Sequence, residues 1–217
     1  MSKKGAIILA GGMSARMGKN KALIEVEGKP LLRHVADKAA KVADEIIVAI
    51  GRTDELDRFA KVLPPSAKVL RDAGEGQSPI IGMSTGLEAL KSSYTVILPC
   101  DTPLVKKEVL EFLFCRASNA DAAIPRWPNG RIEPLQSVYR VKTMVRATRE
   151  ALKAGELSPV NAIKRLDKVN YVSTEEIKVI DPELLTFLNV NTPKDLRTVK
   201  SIFSKISAMR RSQPDLE

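Results

Sequence analysis

Apolar residues along the chain follow two rhythms. Short, nearly continuous runs occur at Gly5–Ala10, Glu45–Gly51, Ala67–Arg71, Tyr94–Pro99, Asp121–Pro125, Leu135–Arg140 and Val169–Ser173, with a shorter one near Phe187–Val190. Runs of this length bounded by Gly, Pro, Asp or Asn predict strands. Between them, apolar residues three and four apart predict helices over Pro30–Ala43, Glu55–Val62, Ile81–Leu90, Lys106–Ala117, Lys142–Ala154, Pro159–Leu166 and Pro193–Ile206. In the first helix Leu31, Leu32, Val35, Ala39 and Val42 share a face, and Pro30 suits the opening turn. Strands alternating with helices of this length imply right-handed βαβ units and a mostly parallel sheet with helices on both faces. Leu135–Arg140 follows the turn-rich Trp127-Pro-Asn-Gly130 and is a candidate antiparallel insertion. No repeat or linker divides the chain, so a single domain over residues 1–200 is expected, followed by a basic tail, 201–217, that frays.

Composition narrows the partners. At 217 residues and 44% hydrophobic content, the chain suits one large α/β domain with a sizeable core. No apolar run has the length of a membrane span, and Met1-Ser-Lys-Lys-Gly5 lacks the apolar stretch of a secretory signal, so a soluble cytoplasmic protein is expected. The cysteines, Cys100 and Cys115, make no C-x-x-C pair; they read as reduced thiols, with Cys100 buried at a strand end. A formal charge of +9 invites a nucleic-acid partner, but aromatics are only 4% and the basic residues are spread along the chain. An acidic small molecule explains the same imbalance, and a solvated basic surface explains most of the lysines. Neither nucleic acid nor membrane is the expected partner.

Parallel sheets of this kind bind ligands beyond the carboxyl ends of their strands, where the strand order reverses. The first strand ends at Gly11-Gly12 and leads into Met13-Ser-Ala-Arg16-Met-Gly18-Lys19-Asn-Lys21. Backbone amides without side chains can approach phosphate oxygens closely, and Arg16, Lys19 and Lys21 add positive charge. The spacing fits neither the dinucleotide fingerprint nor the Walker A loop, which would need Gly at Met13 and Ser or Thr at Asn20. As composition alone, Gly-Gly after a strand could equally be a tight turn. A second strand delivers Asp101 at its tip within Pro99-Cys-Asp-Thr-Pro103. Asp101 could cap the next helix or hold a magnesium ion. Asp72 ends the strand Ala67–Arg71 and, taken alone, could be an ordinary loop residue. Asn189 and Asn191, at period two, would share one side of a strand or serve a turn and cap before Pro193. The single histidine, His34, sits mid-helix and reads as structural.

The complete string L-A-G-G-x-S-x-R-M-G-x-x-K, from Leu9 to Lys21, resembles the signature of nucleotidyltransferases. Within that superfamily Leu9-Ala10-Gly11-Gly12 is most similar to the molybdenum cofactor guanylyltransferase family. The resemblance implies a Rossmann-like three-layer fold of the nucleotide-diphospho-sugar transferase type. It implies transfer of GMP from GTP to molybdenum-bearing molybdopterin, with Mg2+ on Asp101 and release of pyrophosphate. By the same resemblance Leu9, Ala10, Gly11, Gly12, Lys21, Asp72, Pro79, Gly82 and Asp101 bind nucleotide. Arg16, Lys21 and Asp101 would be catalytic, and Asp72 would lie near the ribose. Asn189 and Asn191, in Asn189-Val-Asn-Thr-Pro193, would face the acceptor, and Arg131-Ile-Glu-Pro-Leu-Gln-Ser-Val-Tyr-Arg140 matches the strand form P-L-x-x-x-Y-R. The chain departs from the family at Ser78, where the guanine segment begins with Gly. It also lacks the basic pair expected after Ala154-Gly155, which leaves Lys164 or Arg165 as replacements for pterin binding. A molybdoenzyme or insertion factor would receive the product. Related cytidylyltransferases usually read T-A-A-G at the loop. Guanylyltransferases of cobinamide phosphate or phospholactate share L-A-G-G, and a non-catalytic nucleotide- or pterin-delivery protein is the alternative of another class.

Overall fold

The computed structural model describes residues 3–11, 20–74, 76 and 78–212, with side chains through Met209. Among these, a seven-stranded sheet forms the centre, built from β1 (Lys4–Leu9), β4 (Glu45–Ile50), β5 (Ala67–Arg71), β6 (Tyr94–Pro99), β7 (Ala122–Arg126), β8 (Ser137–Arg140) and β9 (Val169–Ser173). A small hairpin, β2 (Glu25–Val26) and β3 (Lys29–Pro30), stands apart from it. The order is β5-β4-β1-β6-β8-β7-β9, and β8 alone runs against the rest. The Leu135–Arg140 run is therefore the antiparallel insertion that its turn-rich approach suggested. Strand order reverses between β1 and β6, which places a ligand crevice beyond Leu9 and Pro99.

The continuous apolar runs are explained by helices on both faces, since every second residue meets a different layer. Ala6, Ile8, Val48, Val96 and Leu98 pack toward α1 (Leu31–Ala39) and α4 (Lys107–Arg116). The intervening Ile7, Ile47 and Ile97 pack toward α3 (Pro79–Ala89) and α5 (Val141–Lys153). Burying an isoleucine side chain contributes about 1.5–3 kcal/mol, so strands with two apolar faces anchor the sheet centre. Short helices α2 (Leu56–Ala60), α6 (Pro159–Ile163) and α7 (Thr174–Lys178) complete the layers.

The structure corrects several sequence expectations. Phe187–Val190 is not a strand: a 3-10 turn over Leu185–Phe187 precedes an irregular stretch in which Val190 donates its N–H to the Asp101 carbonyl at 2.8 Å. That segment bonds to a loop, not to a sheet edge, and so lacks strand geometry. Pro30 stands as N-cap residue of α1 instead of inside it, and its carbonyl side pairs in the hairpin with Glu25. The boundary at Ser201 falls inside α8 (Pro193–Ser212), whose Ile202, Phe203 and Ile206 pack with Val26, Leu31 and Leu104 in a third apolar cluster. Periodic apolar residues continuing past Ser201 carry the helix onward. No helix among the described residues is long and apolar enough to cross a membrane.

Candidate active site

A cleft of about 800 Å3 opens where the strand order reverses. Its floor comes from strand ends: Leu9 and Gly11 after β1, Gly51 to Asp54 after β4, Asp72 after β5, and Pro99 to Asp101 after β6. One wall is the start of α3, with Ser78, Pro79 and Gly82, and Lys21, Leu135 and Asn191 complete the lining. Thus Leu9, Gly11, Lys21, Asp72, Pro79, Gly82, Asp101 and Asn191, all singled out in the sequence, line one cleft. Gly12 and Arg16 lie outside the described residues. Ala10 is buried in the strand end, where its N–H meets the Ala49 carbonyl at 2.8 Å.

Two glycines make room for the Asp72 carboxylate. A Cβ on Gly11 would stand 2.9 Å from the Gly51 nitrogen and 3.3 Å from Asp72 Oδ2. On Gly82 it would stand 3.3 Å from Asp72 Oδ1 and 3.1 Å from Leu9 Cδ2. Oδ1 is buried and has no hydrogen-bond partner among the described residues. Burial, reinforced by the negative charge of Asp54, pushes the Asp72 carboxyl up to about 6. Asp54 is itself fixed by accepting the Gly51 N–H at 2.9 Å. Sequence reasoning did not single out Arg52, Thr53 and Asp54, which also line the cleft. Their position just past a parallel strand beside the switch point is the signal that could have found them.

On the opposite side Lys21 joins two distant segments. It follows Asn20, whose side chain accepts the Ala22 N–H at 3.1 Å and caps a 3-10 turn over Lys21–Leu23. Lys21 Nζ donates to Asn191 Oδ1 at 2.6 Å and lies 3.4 Å from Asp101 Oδ2. Asp101 is not a helix cap, because α4 begins only at Lys107. Its Oδ1 is buried without a hydrogen-bond partner among the described residues, and burial raises its carboxyl, partly offset by the Lys21 ammonium. An enclosed carboxylate with a spare oxygen suits a hard cation, which takes few protein carboxylates and completes its shell with water and phosphate. Among the described residues no group of three or more His, Cys, Asp or Glu is arranged to hold a metal.

Other expected residues have different roles. Thr192 and Asp195, not the asparagines, cap α8: Asp195 Oδ2 accepts the N–H groups of Asn191 and Thr192 at 3.0 and 2.8 Å. Asn189 is not among the residues lining the cleft. Arg165 is tied to Glu156 at 2.7 Å and to the Asn161 carbonyl at 2.7 Å, and does not line the cleft; Lys164 forms the exposed C-cap of α6. Short-range partners in its own loop hold the guanidinium back. Ser78 does not cap α3 but donates to the Leu157 carbonyl, joining the α5–α6 loop to the rim. Tyr139 is fully buried and donates to the Pro134 carbonyl at 2.7 Å, while Arg140 stacks over Tyr94. His34 bonds the Val26 carbonyl at 2.8 Å and packs on Phe203, a structural role. Cys100 is half-buried and lines the cleft, more open than expected, and burial raises its thiol; Cys115 is exposed.

Comparison with known proteins bears on this geometry. The family described as MobA-like NTP transferase domain matches residues 6–169. The chain belongs to that family. It is 36% identical over 212 residues to a probable molybdenum cofactor guanylyltransferase of Methanosarcina acetivorans, covering 94% of this chain and 93% of that one. A protein of the same description from Natronomonas pharaonis is 34% identical, covering 94% of this chain and all of its own length, 100%. Among solved structures, molybdopterin-guanine dinucleotide biosynthesis protein A from Archaeoglobus fulgidus superposes with a TM-score of 0.78 at 27% identity, covering 93% of this chain and 99% of that chain. The 4-diphosphocytidyl-2C-methyl-D-erythritol synthase of Anaerococcus prevotii, at 16% identity and TM-score 0.71 over 94% of this chain and 96% of its own, shares the fold. The MobA-like NTP transferase fold thus agrees with the Rossmann-like α/β sandwich expected from the sequence.

Proposed function

We propose that this MobA-like chain transfers GMP from GTP to the terminal phosphate of molybdenum-bearing molybdopterin, releasing pyrophosphate. The observation that carries the reading is the Asp101 carboxylate at the tip of β6, one oxygen facing Lys21 and the other buried without a hydrogen-bond partner among the described residues, in a cleft that also encloses Asp72. The descriptions of the relatives from M. acetivorans and A. fulgidus supply the base and the acceptor.

The chemistry asks little of the side chains beyond position and charge. A phosphate monoester is ionised near neutral pH and attacks the α-phosphorus directly, so no general base is needed, in keeping with a structural His34. Asp72, at the cleft floor, accepts from the ribose, and the start of α3 at Ser78–Pro79 with Gly82 shapes the base end. The Gly11 amide and Lys21 hold phosphate oxygens. Gly12 and Arg16 are assigned to the departing pyrophosphate on the resemblance alone. Asp101 is the residue that would hold Mg2+, which when bound neutralises charge on the acceptor and α-phosphate oxygens. Asn191 fixes Lys21 beside Asp101, and Asn189 and Arg165 are left without a part in the cleft. A molybdoenzyme or insertion factor takes the product. With both cysteines free, we place the reaction in the cytoplasm.

The deciding experiment incubates the pure protein anaerobically with Mg2+, molybdate-loaded molybdopterin and either GTP or CTP. Product from GTP alone is the expected result. Product from CTP overturns the base assignment, and no product from either, with nucleotide still bound, overturns the acceptor.

A further inference from the structure

Asp101 and Asn191 meet although they belong to connections far apart in the chain. Asp101 opens the β6–α4 connection, and Asn191 closes the one between α7 and α8. A cluster of buried polar groups ties the two together. Asp181, with a side chain 0% exposed, lies 2.9 Å through Oδ1 from Lys106 Nζ and accepts the Thr186 N–H on Oδ2 at 2.8 Å. Thr186 Oγ1 accepts the Lys106 N–H at 3.2 Å, and its carbonyl accepts Gln136 Nε2 at 2.7 Å. Gln136 follows Leu135 of the cleft wall, and Val190 donates to the Asp101 carbonyl at 2.8 Å. None of Lys106, Asp181 and Thr186 lines the cleft.

The cost of this arrangement points to a purpose. Asp181 would be expensive to enclose without its partners, and against the opposing effect of burial the Thr186 N–H and the Lys106 ammonium hold its carboxyl below the ordinary range. Between Asp181 and Thr186, Leu184 adopts a left-handed backbone with φ of 51°. A branched apolar residue persists there only where its surroundings dictate it, and such strain gathers at segments that must be placed accurately. The floor around Gly11, Asp72 and α3 has no share in these bonds.

We infer that Asp181 is a positioning residue that, through Thr186 and Lys106, sets Asn191 against Lys21 and Asp101 and so governs the transfer step. It touches neither nucleotide nor acceptor. Its kinetic consequence rests on the guanylyl-transfer reading, but its effect on Lys21 does not.

The test compares wild type, Asp181→Asn, Asn191→Ala and the double variant by two readouts. In the first, kcat for pterin guanylylation is expected to fall about tenfold in Asp181→Asn with KM for GTP little changed, since slight misplacement of a positioned group is costly to the reacting geometry. The double variant should be no slower than Asn191→Ala, because both act through the same contact. In the second, brief acetylation with a water-soluble succinimidyl ester is read by peptide mass spectrometry. Labelling of Lys21 is expected to rise several-fold in Asp181→Asn, to the same level as in Asn191→Ala and the double variant. Lys106→Arg, which keeps the ion pair, should hold labelling at the wild-type level. Unchanged Lys21 labelling in a folded Asp181→Asn, whatever happens to its melting temperature, overturns the inference. Should that variant fail to fold, Thr186→Val, which keeps the backbone N–H bonded to Asp181 but removes the Oγ1 that accepts the Lys106 N–H, breaks the next step of the same path and is judged by the same readouts. Absence of guanylylation in wild type counts against the functional reading, while the labelling comparison still decides this one.

Discussion

The two halves of the cleft are built by different means. On the side proposed for the nucleotide, β1, β4 and β5 are parallel neighbours in the sheet with α3 packed on them, and the site is shaped by backbone: strand ends and the absence of side chains at Gly11 and Gly82. On the side proposed for the acceptor, Lys21, Asp101 and Asn191 come from three separate connections and are joined through side chains, Lys21 bonding Asn191 and facing Asp101. Backbone construction tolerates little added volume, whereas side-chain construction fails when one polar partner is lost.

The contrast can be broken first at Asp101. Asp101→Asn removes the charge that Lys21 faces and the anchor for a cation. Turnover is expected to fall by about a thousandfold or more, while the melting temperature holds, because the substitution relieves a buried charge. Residual activity near wild type with Mg2+ would sink the metal assignment.

Gly82→Ala probes the other half. The added methyl would crowd Asp72 Oδ1 and Leu9. KM for nucleotide should rise about three- to tenfold with kcat little changed, and the helix preference of Ala over Gly, about 1 kcal/mol, offsets part of the cost of crowding in stability. A drop in kcat alone would show that the halves are not separable.

Asp72 sharpens the comparison by pH. Its carboxyl, pushed up to about 6, keeps a proton in the folded protein that the unfolded chain has released above about pH 4. The resulting stabilisation is full below pH 4 and is lost as pH rises through 6. Asp72→Asn should therefore be more stable than wild type at pH 7 by about 1 kcal/mol, after allowing for solvent screening of a half-buried group, with the gain vanishing near pH 4. Denaturant titrations at the two pH values measure this. Nucleotide KM in wild type should improve as pH rises through 6, when Asp72 becomes an acceptor for the ribose, and the variant should lack that step.

The smallest effect is expected at Tyr139→Phe, which leaves the Pro134 carbonyl unpaired behind Leu135. A stability loss of about 1 kcal/mol with unchanged nucleotide KM is expected from urea unfolding and initial rates. A changed KM would mean that the β7–β8 connection also shapes the side proposed for the nucleotide.

The strands, their order of burial and the glycine-ended first strand were legible in the chain because each is a local pattern. Apolar runs long enough for a strand identify themselves, and Leu9-Ala10-Gly11-Gly12 is informative because bare amides at a strand end suit few uses besides a turn or an anion. Asp72 and Asp101 were legible for the same reason, each closing an apolar run. The irregular stretch at Phe187–Val190 carries the apolar pattern of a strand because Phe187, Leu188 and Val190 pack into the apolar clusters, while its backbone bonds to the Asp101 loop, and local pattern carries no record of which backbone a segment meets. Asp54 and Asp181 gave no local sign, since an aspartate in a turn has the same sequence whether it is solvated or enclosed.

What the chain order of residues implies is thus the layered α/β frame and the set of groups delivered to its carboxyl edge, through periodicity and through small residues at strand ends. The match of Lys21 with Asn191, 170 positions apart, came from packing, as did the choice of Asn191 over Asn189 and the retention of Arg165 by Glu156. The reason is physical: secondary structure follows from interactions a few residues apart, but which polar side chains find one another depends on how loops from different strands are brought together over the sheet.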